Sequence, residues 1–194
     1  GVKAVITGAD IGRHQFGPFA DEYALAIDKV RYIGEPLAAV AAIDEETAEE
    51  ALDLITGEYE ELPAIFDPVE AMMPEAPQIH ERGNVSSELS MEYGDVDKAF
   101  LEADYVRQDS FVTNSTAHCA MELHVALSSF DRAGKLTIWT TNQSPQIKRR
   151  VLASTLGIPE SDIRVTSIYV GGAFGGKAEM LASDFCSALL SART

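Results

Sequence analysis

Four glycines fall within six positions in Gly171-Gly172-Ala173-Phe174-Gly175-Gly176. The run separates a stretch that alternates like a strand, Ile163 to Val170, from a helical pattern spanning Lys177 to Leu190. Glycine weakens both strand and helix, so the segment is forced into a loop that tolerates positive φ and close approach by a ligand. N–H groups at the start of the following helix would favour a phosphate or another anion. The loop is not of the Walker type, because Ala178 rather than Ser or Thr follows Lys177, and G-x-G-x-x-G spacing is absent. A glycine-rich turn alone is more often structural than ligand-binding. Phe174 shifts that balance, since a bulky aromatic does nothing for a plain turn.

The rest of the pattern is mixed α and β. Val2 to Ile6 predicts a short strand, and Leu37 to Ile43 a buried one from its unbroken apolar character. Asp44 suits an N-cap, followed by Glu45 and Glu46, with Ala48, Ala51, Leu52 and Ile55 on one helical face until Gly57. A strand through Tyr59 is expected to end at Leu62-Pro63. Pro68, Pro74, Pro77 and Gly83 then mark a linker. Two domains are expected, residues 1–72 and 85–194, joined by 73–84. In the second, a short helix follows Asp95 with Val96, Ala99, Phe100 and Ala103, and Tyr105 to Thr113 is extended. Val125 to Phe130 and Leu136 to Thr141 flank a hairpin turn at Asp131-Arg132-Ala133-Gly134. Pro145 opens a helix that Gly157 closes.

Charge excludes one class of function. The chain has 15 basic and 31 acidic side chains, a net charge of −16, and no Lys or Arg between Arg31 and Arg82. Nucleic acid needs clustered positive charge, so it is excluded as a partner. The one basic run, Lys148-Arg149-Arg150, reads as a solvated helix face. No apolar run approaches the roughly 20 residues of a membrane-spanning helix, and no secretory signal opens the chain. Cys119 and Cys186 are too few for a disulfide scaffold. A soluble, cytoplasmic protein is expected.

Several segments together point to a family. Asp21 to Ala26, Asp28 to Pro36 and Ala38 to Ala42, continued by Thr47 to Leu52 and Tyr59 to Ala64, resemble the a/b hammerhead domain of the xanthine dehydrogenase and aldehyde oxidase family. His118-Cys119-Ala120-Met121-Glu122, Thr141-Asn142-Gln143-Ser144-Pro145-Gln146 and the Phe174 glycine loop resemble, in the same order, its first molybdenum-cofactor-binding domain. The stretch Gly17 to Tyr32 is similar to hydroxybenzoyl-CoA reductase and related bacterial enzymes. The resemblance implies an α+β chain, a hammerhead domain followed by part of a mixed α/β cofactor domain.

It also implies chemistry. The parent protein would be a molybdenum hydroxylase-type oxidoreductase acting on an aromatic, aldehyde or N-heterocyclic substrate, or a reductase of the hydroxybenzoyl-CoA type. Its cofactor would be molybdopterin in the cytosine dinucleotide form. Iron–sulfur centres, with or without FAD, would sit on partner subunits of a hetero-oligomer. Gln143 would donate a hydrogen bond beside the molybdenum oxo ligand. Gly172, Ala173, Phe174 and Gly175 would pack against the cofactor. Phe174 and Ala178 would line the substrate pocket. Glu122 reads equally as a buried structural carboxylate or as a partner near the cofactor. His118 and His124 read as core histidines and Cys119 as a small buried hydrophobe. The family's catalytic glutamate is expected outside this chain, which reads as a fragment of a longer subunit. Purine-hydroxylating members carry a glutamate where Ala178 stands. Glu179, one residue on, would be rotated by about 100° on a helix start. The alternative is a non-catalytic module that docks cofactor or subunits.

Overall fold

The computed structural model describes residues 1–194. Strand β1 (Val2–Thr7) pairs antiparallel with β4 (Ala38–Ala42), from Thr7↔Ala38 to Val2↔Ala42. Helix α1 (Gly8–Ile11) and the two-residue strands β2 (Gln15–Phe16) and β3 (Glu22–Tyr23) lie between them in the chain. Helix α2 (Glu45–Asp53) follows β4 and is capped as expected: the Asp44 carboxylate accepts the Thr47 N–H at 2.8 Å.

Three expectations for this region need correction. β4 is half-buried, not buried, and Leu37 and Ile43 beside it are exposed, because a two-stranded sheet leaves each strand an open edge. α2 stops at Asp53, short of Gly57. No strand forms through Tyr59 to Pro63, where no neighbouring strand offers a ladder and Glu58, Glu60 and Glu61 stay in water.

The proline-rich stretch holds helix α3 (Pro68–Ala71), whose Asp67 cap accepts the Val69 and Glu70 N–H groups. Asn84 ties that stretch together, donating to the Ala71 and Pro77 carbonyls and accepting the Ile79 N–H. Helix α4 (Val96–Glu102) starts at its Asp95 cap. The segment from Tyr105 to Thr113 joins no sheet, and its Phe111 and Val112 are exposed.

A second sheet organises the C-terminal half. β5 (Ala126–Phe130) runs antiparallel to β6 (Leu136–Thr140), and β6 runs parallel to β7 (Ile163–Ser167). The hairpin forms because the Asp131 carboxylate accepts the Ala133 and Lys135 N–H groups, both at 2.9 Å, while Gly134 takes a φ of +79°. Helix α5 (Pro145–Leu156) makes the crossover from β6 to β7 and ends at Gly157, left-handed with φ +67°. Helix α6 (Ala182–Arg193) packs on both β5 and β1, and so joins the β1–β4 and β5–β6–β7 sheets; β2 and β3 form a small antiparallel pair of their own. It begins five residues later than the pattern implies. The N–H and C=O of Lys177 are both bonded to Gln143, which removes them from any helix.

The core is one apolar cluster. Ile6, Phe16 and Leu25 share it with Ile138, Leu152 and Phe185. The Phe16 and Phe185 rings meet at 4.8 Å, tilted by 43°. Full burial of each such side chain stabilises by roughly 1.5–3 kcal/mol. At the cluster's polar edge stands the largest departure from expectation. Lys148 is not on a solvated helix face; it is 0 % exposed and paired with Asp184, itself 1 % exposed. Asp184 also accepts the Thr140 hydroxyl at 2.8 Å and the Leu181 N–H at 3.1 Å. The pair thus joins α5, α6 and β6. No helix is long and apolar enough to cross a membrane.

Removing one partner of a buried pair strands the other charge. Lys148→Met is therefore expected to cost about 3–5 kcal/mol of stability, and adding Asp184→Asn to recover much of that loss. Urea denaturation of the two variants checks this. A loss under about 1 kcal/mol for Lys148→Met would mean that the pair behaves as a solvated one.

Candidate functional site

The glycine loop leaves β7, and its two ends are held by separate contacts. At its start, the Gly171 N–H donates to Glu122 Oε2 at 2.8 Å, and the Glu122 N–H donates to the Gly171 carbonyl at 3.2 Å. At its end, Lys177 Nζ donates to the same Glu122 Oε2 at 2.7 Å. The Lys177 side chain is 1 % exposed and that of Glu122 31 %. The Lys177 ammonium, and then the Gly171 N–H, hold the Glu122 carboxyl below the usual glutamate range. Gln143 closes the arrangement. Its N–H donates to the Lys177 carbonyl at 3.0 Å, and its Oε1 accepts the Lys177 N–H at 3.3 Å.

Inside the loop the backbone is tightly turned. The Gly176 N–H donates to Ala173 at 2.8 Å and the Ala178 N–H to Gly175 at 3.1 Å. Gly172 and Gly175 take φ of +98° and +94°, where a side chain would be strained. Glycine is also needed for space at the ends: a Cβ on Gly171 would lie 2.8 Å from Glu122 Cβ, and one on Gly176 3.0 Å from His118 Cγ. Phe174 is the exception. It adopts φ +50° without being glycine and leaves its ring 75 % exposed, a strained placement of the kind found at ligand sites. The N–H groups of Gly172, Ala173, Phe174 and Gly175 donate no hydrogen bond within the chain. Successive free N–H groups in such a turn form a concave donor surface suited to an anion or an oxo group.

The structure brings together most of the residues singled out above. Gln143, Gly172, Ala173, Phe174, Gly175 and Ala178 belong to one loop system, with Glu122 as its tie. Other expectations fail. His118 and His124 are exposed, not core histidines, and Cys119 is exposed with φ +48°, not a buried hydrophobe. They lie on an irregular segment that packs against the glycine loop rather than on a core strand. Partial desolvation and the charges of Lys177 and Lys148 hold the His124 imidazole below its ordinary value. The loop does not run into a helix N-terminus, so its donors are its own amides; α6 begins five residues after Lys177, where Asp184 accepts the Leu181 N–H. For the same reason Glu179 is not turned away by helical rotation. It sits near Glu22, whose carboxyl is pushed up by burial and then by the Glu179 charge.

Sequence reasoning passed over Lys177 and Asn142. Asn142 is buried, donating to the Thr140 carbonyl and accepting from the Ser167 hydroxyl at 3.3 Å, which aligns the chain just before Gln143. The only signal for Lys177 was its place at the end of the glycine run. Two surface cavities, of about 380 Å³ at Ala71–Val85 and about 590 Å³ at Tyr93–Arg107, include none of the loop residues.

The free amides, the cradle kept open by glycine and the exposed Phe174 ring fit a polar, oxygen-bearing cofactor. Residues 79–194 match the molybdopterin cofactor-binding domain family, and residues 1–63 match the a/b hammerhead domain of aldehyde oxidase and xanthine dehydrogenase. The nicotinate dehydrogenase large molybdopterin subunit of Eubacterium barkeri is 38% identical over 97% of this chain and 45% of its own length. The carbon monoxide dehydrogenase large chain of Hydrogenophaga pseudoflava is 31% identical over 98% of this chain and 26% of its own. The crystal structure of quinoline 2-oxidoreductase from Pseudomonas putida 86 superposes with a TM-score of 0.86 at 31% identity, over 99% of this chain and 26% of that one. The chain thus spans less than half the length of the relatives that it matches. On the loop geometry and these matches together, the chain belongs to the xanthine dehydrogenase and aldehyde oxidase family, with an a/b hammerhead region followed by a molybdopterin cofactor-binding region.

Proposed function

We propose that this chain is the cofactor-holding part of the molybdenum-binding subunit of a molybdopterin-dependent oxidoreductase. The observation that carries the reading is the row of four free amides, Gly172 to Gly175, in a loop tied at both ends. These amides would hold the cofactor's oxygen atoms, and Gln143 would add a side-chain donor. Its Oε1 is occupied by the Lys177 N–H, so the amide NH₂ is the group left to face a ligand. When bound, the molybdenum–pterin group would supply the two-electron oxidation of a substrate carbon with water as the oxygen source or, for a hydroxylated aromatic acyl thioester, the reverse two-electron reduction that releases the hydroxyl as water. The protein's part is binding, orientation and hydrogen bonding.

Phe174 presents an apolar wall to the substrate, and Ala178 beside it adds no charge. A purine would need a polar partner there. The substrate class is accordingly a less polar aromatic, aldehyde or N-heterocyclic compound, or an aromatic acyl thioester. Electrons would be exchanged through an iron–sulfur subunit, with or without a FAD subunit, in a hetero-oligomer, and the cofactor would be the cytosine dinucleotide form. The two cysteines here suit no cluster of their own: Cys186 is buried, with its thiol pushed up to about 11, and Cys119 stands apart in the His118–Glu122 segment.

Two measurements on the full-length complex test this. Gln143→Ala is expected to retain molybdenum and pterin but to lower kcat on the order of 10–100-fold, as for other hydrogen-bonding neighbours of a metal centre. Turnover at the normal rate would reduce Gln143 to a structural amide. In steady-state comparison, xanthine is expected to fall well below benzaldehyde and hydroxybenzoyl-CoA in kcat/KM. A pocket wall without a polar partner rejects a more polar compound by on the order of 10²-fold. Xanthine as the best substrate would overturn the argument from Ala178.

A further inference from the structure

We infer that Glu122 and Lys177 form a charged clamp that positions the donors of the cofactor site, so that the pair acts on turnover through the glycine loop and Gln143 rather than by touching the substrate. This rests on the function proposed above. One carboxylate oxygen, Glu122 Oε2, receives both the first amide of the loop and the ammonium of its last residue. Seven residues of chain, Gly171 to Lys177, five of them glycine or alanine, are thereby closed against a single atom. Glycine-rich backbone has little conformational preference of its own, so without that closure the loop amides sample many directions.

The clamp reaches Gln143 through Lys177. Its side chain is bound to Glu122, while its N–H and C=O are both bonded to Gln143. The direction of the Gln143 amide is therefore set by residue 177: the carbonyl end is taken by a main-chain N–H, and the NH₂ end is left outward. If Lys177 shifts, both ends are free to exchange, and a flipped amide offers an acceptor where a donor is needed. The Lys177 ammonium cannot stay in its buried position without the carboxylate, since an unpaired buried cation is strongly disfavoured. The carboxylate tolerates loss of the lysine better, because Glu122 keeps contact with water. The two residues are 55 positions apart, Lys177 at the end of the loop and Glu122 on a separate segment. Nothing else in the chain ties its two ends to one group.

The test uses the full-length complex with Glu122→Gln, Lys177→Met, the double variant and Lys177→Arg. Hydrogen exchange at the amides of Gly171, Lys177 and Gln143 is expected to quicken roughly 10-fold or more in the first two variants, with β6 and β7 unchanged. In the double variant the effects should not add, because the two side chains act as one unit. Lys177→Arg should restore most of the protection. Turnover per bound molybdenum should fall about 10-fold with KM unchanged, the pattern of a group acting through its neighbours on the reacting centre. If Glu122→Gln does not accumulate folded, Lys177→Met carries the same measurements. Unchanged exchange at the three amides in a folded variant overturns the clamp, as does faster exchange with normal turnover per molybdenum. A wild-type complex devoid of molybdenum would instead remove the proposed function and leave the exchange result standing.

Discussion

The buried contact between Lys148 and Asp184 is the constraint around which the C-terminal half is arranged. A lysine with no exposed surface has one stable place in a fold, against a carboxylate that is itself fully used. Asp184 meets that demand with its two oxygens, receiving Lys148 from α5, Thr140 from β6 and the Leu181 N–H that starts α6. The chain that carries Asn142 and Gln143 leaves β6 immediately after Thr140. The direction in which that chain emerges is set by the same contact. Phe185, one residue after Asp184, then anchors α6 against Phe16 and brings the N-terminal sheet onto the same core.

The candidate site is built on this frame but is made differently from it. The frame consists of buried side chains whose polar groups are satisfied. The site consists of main-chain amides with no partner inside the chain, two of them on glycines whose positive φ shapes the turn. Two internal turns shape the middle of that surface, and Glu122 and Gln143, from outside the loop, fix its ends through Gly171 and Lys177. Phe174 gives its amide to that row but carries a large side chain as well. Its positive φ and open ring set it where a ligand, not the core, would cover it.

Local chemistry was legible in the sequence wherever a few neighbouring residues decide the outcome. Asp44 as the α2 cap, the Asp131–Gly134 hairpin and the Pro145–Gly157 limits of α5 all follow from side chains within four residues of the backbone groups they satisfy, or from glycine and proline themselves. The glycine run and Gln143 were legible for the same reason, and the resemblance carried by a handful of short segments reached the family. Where a distant partner decides, local reading failed. The strand expected at Tyr59 had no neighbour to pair with. The helix expected from Lys177 lost its first turn to Gln143, which lies 34 positions away. His118, His124 and Cys119 looked like core residues and are not, since exposure depends on what packs above a segment and not on its composition.

The sequence by itself determined β1, β4, the β5–β6 hairpin, β7 and the helices α2, α4 and α5, most of their caps and turns, the loop that could approach a cofactor, and the family to which these belong. Spacing rules operate over one or two turns of chain, and those features lie within that reach. Only the tertiary structure decided that Lys148 is a buried ion rather than a surface charge, that a single core serves both halves, and that Glu122 and Lys177 meet across 55 positions to close the glycine loop. A charge becomes structural when desolvation makes its partner obligatory, and desolvation is a property of the packed chain.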